Sequence, residues 1–452
     1  MAIRFDASLP TLARILAERF GQETLSRAAV IRDASGRLSA VLPDLVDADA
    51  LKAAEEAIRR DLDAYARPDA VIRSADAAGA RRLLEEAART APLTVAGMTV
   101  RLLDRRFVGP DWLKPPAPTP PGIPRIVFAS LKGGVGRSTA LCVVAAHLSR
   151  LGRRVLAVDF DLEAPGLGAM LLNERELPLY GALDYLVESG LSGIDAGFIA
   201  DMAGDSFLGS EGARVTVVPA IGKSTHDHPG GALSKIARAY LDQPMPDGSA
   251  ATLSDRFRGM IERFEAGGDY DVVLVDARAG LHETTPAAIL GLGADVLLFG
   301  TDQPQTFLGY RLLLAHLARF PADPDDDWRE RLNFVHAKAS DGDEAQAVAR
   351  ERFSALYALL QPPDMPDDGG VAGLTGEDFE VEWDDSADAD EDAREDVFTP
   401  PPVLHVLDDA RYRDFDPVAD RACLASRACA VTFESLIAYA ENLVIDAGAG
   451  AP

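Results

Sequence analysis

Cysteine is scarce: Cys142, Cys423 and Cys429 are the only three in 452 residues. Three thiols, the last two separated by five residues, make no disulfide framework and do not fit zinc-ligand spacing. All three are read as small core or surface residues. Long apolar runs are also missing, since none approaches the roughly 18–20 residues that span a bilayer. The opening MAIRFDASLP lacks the basic-then-apolar order of a secretory signal, so a cytoplasmic protein is expected. Positive charge is in short supply, with 45 Lys+Arg against 72 Asp+Glu and a net charge of −27. Such a surface repels phosphate backbones and anionic lipid. Direct nucleic-acid binding is disfavoured on this ground, though not excluded, and no membrane attachment is expected. Lysine is rarer still, at six of the 45 basic residues.

The composition that remains, 47% apolar and 26% charged, is that of an ordinary globular protein long enough for two or three domains. Residues 108–124, VGPDWLKPPAPTPPGIP, hold seven prolines in seventeen positions and read as an extended, stiff spacer. Residues 1–107 before it read as a small α+β module of unknown role. Helix-period stretches are expected near Leu9–Phe20, Ala48–Ala66 and Ala77–Thr90. Alternating strands fall near Ala29–Asp33 and Leu38–Leu42, and a hairpin over Leu93–Phe107 turns at Ala96-Gly97.

From residue 125 onward short apolar runs alternate with helical stretches: Arg125–Ala129, Val155–Phe160, Arg214–Pro219, Asp271–Asp276, Asp295–Gly300 and Leu332–Val335. That order predicts an α/β architecture, a doubly wound, mostly parallel sheet covered on both faces. Between Asp364 and Asp396 lie fifteen acidic residues and one arginine, about half the net charge. This segment, about 363–398, is read as a disordered acidic insertion in a domain that closes with Val403–Leu407 and a helical run near Val431–Val444.

The informative stretch is Ser130-Leu131-Lys132-Gly133-Gly134-Val135-Gly136-Arg137-Ser138-Thr139, set between the Arg125–Ala129 strand and a helix over about Ser138–Leu151. Glycines let successive backbone N–H groups point inward at a phosphate chain, and the helix that follows adds its N-terminal dipole. Gly133, Gly134, Val135 and Gly136 would supply the cradle. The Ser138 hydroxyl is placed to reach Mg²⁺, and Thr139 would lie near the α-phosphate. Strand, loop, Ser-Thr and helix in this order are a specific signal, where a glycine-rich loop alone is weak.

These residues resemble the deviant Walker A motif of ParA/MinD-type P-loop ATPases, Lys-Gly-Gly-x-Gly-Lys-Ser/Thr, with Arg137 in place of the second lysine. Val155–Asp161 resembles the second strand of that family and Asp271–Asp276 its Walker B strand. The resemblance implies ATP and Mg²⁺ as ligands. It makes Lys132 a signature lysine that touches the nucleotide of a second subunit, Arg137 and Asp161 catalytic, and Ser138, Asp159 and Asp276 the magnesium organisers. It also implies an ATP-dependent homodimer that recruits a protein partner. The Asn/Thr-Lys-x-Asp signature of GTP binding is absent after Leu332–Val335, where His336-Ala337-Lys338-Ala339-Ser340 stands, so ATP is preferred.

Arg137 departs from the motif, because guanidinium is planar and bidentate where a lysine is a compact point charge. Two readings follow: a slow ATPase switch, or a non-catalytic ATP-sensing scaffold. A biosynthetic relative ranks last, as no glutaminase cysteine context is found. Arg278, directly beyond Ala277, is read as a loop arginine paired with a nearby acid, against the alternative of a phosphate contact. His226-Asp227-His228 reads as a polar loop without a third metal ligand. The C-terminal helical run contains Glu434 and Glu441 and no basic residue, unlike a lipid-anchoring helix.

Overall fold

A computed structural model describes residues 3–43, 46–67, 72–73, 79–106, 109–190, 193–209, 213–245, 249–268, 270–361 and 398–449. The acidic segment expected at about 363–398 lies outside the described residues except for its last one, Phe398.

In the first module, α1 (Phe5–Phe20) is followed by β1 (Ala29–Arg32), β2 (Leu38–Val41), α2 (Ala48–Leu62), α3 (Ala80–Ala88), β3 (Leu93–Val95) and β4 (Met98–Asp104). β1 pairs antiparallel with β2 and parallel with β4, and the short strand Ile72–Arg73 extends the sheet beside β2. The period-2 pattern decides which side chains face which layer. Val30 and Ala40 bury against Leu12, Leu16 and Ile58 of α1 and α2, while Ala29 and Val41 bury against Ala80 and Ala87 of α3. The β3–β4 turn falls at Ala96-Gly97, both at positive φ (50° and 75°), the conformation that suits the right-handed twist of a two-residue hairpin.

The second unit is built on a sheet of β5 (Arg125–Ser130), β6 (Val155–Phe160), β7 (Val215–Val218), β8 (Val272–Ala279), β9 (Asp295–Gly300), β10 (Leu332–Ala339) and β11 (Leu404–Leu407). Its order is β11-β10-β9-β5-β8-β6-β7 with every neighbouring pair parallel, and a short antiparallel strand, Gly204–Asp205, at the β7 edge. All six residues of β5 are buried, alternating between two cores: Val127 and Ala129 enter one, Ile126 and Phe128 the other. A strand covered on both faces is apolar through its middle, as Ile126–Ala129 are, while buried Arg125 at its start is met by Glu265. The flanking helices used below are α4 (Arg137–Arg150), α5 (Ala232–Ala239), α6 (Leu253–Gly267), α7 (Pro304–Leu317) and α8 (Glu434–Ala449).

Two expectations change. The proline-rich stretch is not a free spacer, because residues 109–124 lie as a strap across the second unit. Asp111 accepts from the Ser254 backbone N–H (2.9 Å), Ala117 donates to the Leu290 carbonyl (2.7 Å), and Thr119 bonds Asp326 through both its N–H and its hydroxyl. Proline removes donors from the strap itself, so the neighbouring surface supplies partners at the few non-proline positions. The C-terminal helical run also breaks at buried Phe433, where Ser426–Thr432 and the following helix meet at 103°. Leu436, Ala440 and Val444 then bury against the core beneath α4. Among the described residues no single helix is long and apolar enough to cross a membrane.

Candidate nucleotide-binding site

β5 runs up the middle of the sheet and delivers its loop at the C-terminal edge, flanked by β9 on one side and β8 on the other. Open parallel sheets take ligands in this crevice. Gly134 and Gly136 hold positive φ (73° and 92°), a backbone region that a β-carbon makes costly, so the loop shape depends on glycine there. α4 begins at Arg137 with no side-chain cap, leaving its first-turn N–H groups directed at the loop mouth. Arg137, Ser138 and Thr139 form that first turn, and Val135 is buried beneath it.

Strand register assembles the carboxylates. Asp276 on β8 lies directly opposite Asp159 on β6, so the two side chains share a face of the sheet. Both are buried. Burial pushes both carboxyls above the usual range, and the repulsion of Asp276 adds to the rise at Asp159. Arg137 and the Ser138 hydroxyl partly offset the rise at Asp276. Ser138 Oγ donates to Asp276 Oδ2 at 2.5 Å, and Asp276 Oδ1 has no hydrogen-bond partner among the described residues.

Asp159, expected to help organise magnesium, is also engaged by the backbone of the loop after β6. Oδ1 accepts from the Asp161 N–H (3.1 Å), and Oδ2 from the N–H groups of Gly166 and Leu167 (3.0 Å each). These three bonds shape the loop after β6. Asp161, also buried, accepts from the Ala164 N–H at 3.1 Å and faces Arg137 at 3.9 Å. Arg137 is itself buried, and its Nη1 donates to the Ala277 carbonyl, one residue past Asp276. The residue that breaks the motif therefore ties the helix start to the end of β8 and reaches toward Asp161. Lys132 is exposed, its Nζ 3.4 Å from Gln303 Oε1 at the start of α7.

Arg278 does pair with an acid, and that acid is Glu163 in the loop after β6. Tyr240 Oη donates to the same carboxylate (2.8 Å), and His282 Nε2 approaches it at 3.3 Å. Sequence spacing gives no sign of this group, since its members lie up to 119 residues apart, and only the folded crossing of the loops brings them together. His226 and Asp227 end a short helix, and His228 Nδ1 contacts the Ser224 carbonyl at 3.0 Å. No cluster of three metal-ligating residues forms anywhere among the described residues.

Residues 126–279 match the family model described as the CobQ/CobB/MinD/ParA nucleotide binding domain, and this stretch, which carries all three motifs, is a domain of that ParA/MinD-type class. In shorter stretches the chain is 42% identical over 53 residues to an uncharacterized ATP-binding protein of Methanocaldococcus jannaschii, covering 12% of this chain and 20% of that protein. It is 57% identical over 37 residues to the chromosome-partitioning ATPase Soj of Thermus thermophilus, 8% and 15% of the two chains. It is 41% identical over 81 residues to a putative septum site-determining protein MinD of Oltmannsiellopsis viridis, 18% and 25%. The matches thus span a quarter or less of these curated relatives. Among solved structures, the MinD cell division protein of Aquifex aeolicus aligns at TM-score 0.40 and 15% identity over 73% of this chain and 98% of that one.

Proposed function

We propose that the chain is an ATP-binding, ATP-hydrolysing switch of ParA/MinD type with a deviant Walker A loop, which closes as a homodimer over nucleotide and recruits a protein partner. One observation carries the reading: the unpartnered, buried Asp276 oxygen stands beside Ser138 at the uncapped start of α4, directly behind a loop held open by glycines. A buried carboxylate oxygen without a partner is costly, and a divalent cation meets that deficit. Ser138 would hold Mg²⁺ with Asp276 behind it, whereas Asp159 braces the adjoining loop. When bound, the ion neutralises charge on the phosphate chain.

The remaining steps fall to the chain itself. The N–H groups of residues 133–139 take the phosphate oxygens. Arg137 supplies positive charge to them, and Asp161 orients the attacking water. Lys132, exposed at the mouth, completes the site of a second copy. The test is the mass of the full chain by light scattering, without nucleotide and with ATP plus Mg²⁺, alongside phosphate release. A monomer that becomes a dimer only with ATP supports the switch, and ATP binding at unchanged mass overturns it.

A further inference from the structure

The loops carrying Asp161 and Asp276 are joined by a side-chain tie that the hydrolytic roles above do not use. Glu163 lies two residues past Asp161, and Arg278 two residues past Asp276. Glu163 Oε2 pairs with Arg278 Nη1, while Oε1 accepts from Tyr240 Oη at 2.8 Å and meets His282 Nε2 at 3.3 Å. Tyr240 comes from the end of α5, and its ring meets that of His282 edge-on at 5.5 Å. One carboxylate is therefore held from α5 and from the end of β8 together. The pair is only 33% and 24% exposed in its side chains, so it is better shielded than a surface ion pair, for which little would be expected. Arg278 accordingly holds the Glu163 carboxyl below its ordinary range.

The tie belongs to a closed circuit around the nucleotide mouth. The Gly280 N–H donates to the Ser130 carbonyl at 2.9 Å, which fixes the loop after β8 to the root of the phosphate loop. Arg278 passes that anchorage to Glu163, and the chain from Glu163 leads back to Asp161, which faces Arg137 at 3.9 Å. The local bonds of the Asp161 loop, from Asp159 and Asp161 to backbone N–H groups, set its shape. They root the loop on β6, and Glu163 adds a side-chain bond from beyond Asp161 to the end of β8.

We propose that Glu163 and Arg278 form a clasp that fixes the Asp161 loop against the Walker B loop, which makes Glu163 a positioning residue for the attacking water. The proposal rests on the hydrolytic reading above. Its test compares the full-length chain with Glu163→Gln, Arg278→Gln and the double variant. Three quantities are read: single-turnover phosphate release, affinity for a fluorescent ATP analogue, and hydrogen exchange of the peptide spanning residues 161–167.

Because displacement by about 1 Å costs up to roughly a hundredfold, each single variant should lose roughly tenfold to a hundredfold in turnover. Affinity should stay within about threefold, since the phosphate loop is untouched. The double variant should be no worse than the weaker single one, as expected for two residues acting as a unit. Exchange over 161–167 should quicken about tenfold in all three. Turnover unchanged in either single variant, affinity falling in step with turnover, or losses that multiply in the double variant each overturn the clasp. A wild type that binds ATP without hydrolysing it removes the hydrolytic reading alone. The clasp is then decided by exchange, and unaltered exchange refutes it.

Discussion

At the scale of single residues, Arg137 is the departure that matters. Its guanidinium donates to the Ala277 carbonyl through Nη1 while Nη2 faces Asp161, two groups reached from separate nitrogens where a lysine has only one. Arg137→Lys should therefore keep ATP binding and lower turnover, about tenfold, measured as phosphate release. A marked rise would instead favour the non-hydrolysing sensor. Asp276 makes a second test. Its unpartnered oxygen and the nearby Asp159 carboxylate make the buried charge costly, so Mg²⁺ with ATP should raise the melting temperature above that with ATP alone. Asp276→Asn should abolish this increment, read by calorimetry. Ser138 and Asp276 were legible as partners from the motif order. The engagement of Asp159 with three backbone N–H groups was not, because it depends on how the loop after β6 folds back over its own strand.

At the scale of elements, the docking of the stretch 109–124 is what composition does not show. A proline-dense stretch is stiff whether it floats or docks, and only the complementary surface distinguishes the two. Asp111 acts as an added cap on the first turn of α6, accepting from Ser254 N–H and pairing with Lys114 at 3.1 Å. Asp111→Ala should cost about 1–2 kcal/mol in urea unfolding.

Where the strap meets α7, His316 Nε2 lies 2.6 Å from the Trp112 carbonyl. Burial, assisted by Arg319 and Arg106, lowers the pKa of His316, and the bond to Trp112 opposes the drop. The sign follows directly. A histidine kept neutral in the fold lets the unfolded chain take up the proton first, so its contribution is present above about pH 6.5 and lost as pH falls below it. The difference in melting temperature between wild type and His316→Gln should shrink between about pH 7.5 and pH 5.5.

At the scale of the whole molecule, the proposed homodimer turns on Lys132. It is exposed, and its side chain reaches Gln303 at 3.4 Å. Lys132→Ala should leave the unfolding free energy of the nucleotide-free chain within about 0.5 kcal/mol of wild type. It should also abolish the ATP-dependent change of mass in light scattering. Retention of a dimer by this variant would rule out the crossed-lysine mechanism.

What the sequence settled by itself are the elements whose physics is local. Apolar runs became the strands of the parallel sheet to within a few residues, since a strand buried on both faces has no alternative composition. The Ala96-Gly97 turn and two glycines of the phosphate loop, Gly134 and Gly136, fell where the backbone takes positive φ. Tertiary structure alone decided the rest. It set Asp276 opposite Asp159, turned Arg137 onto the Ala277 carbonyl, docked the proline strap, and brought Tyr240 and His282 to the Glu163–Arg278 pair. Each of these contacts depends on strand order and loop crossing between residues far apart in the chain, where side-chain identity is visible in the sequence and mutual distance is not.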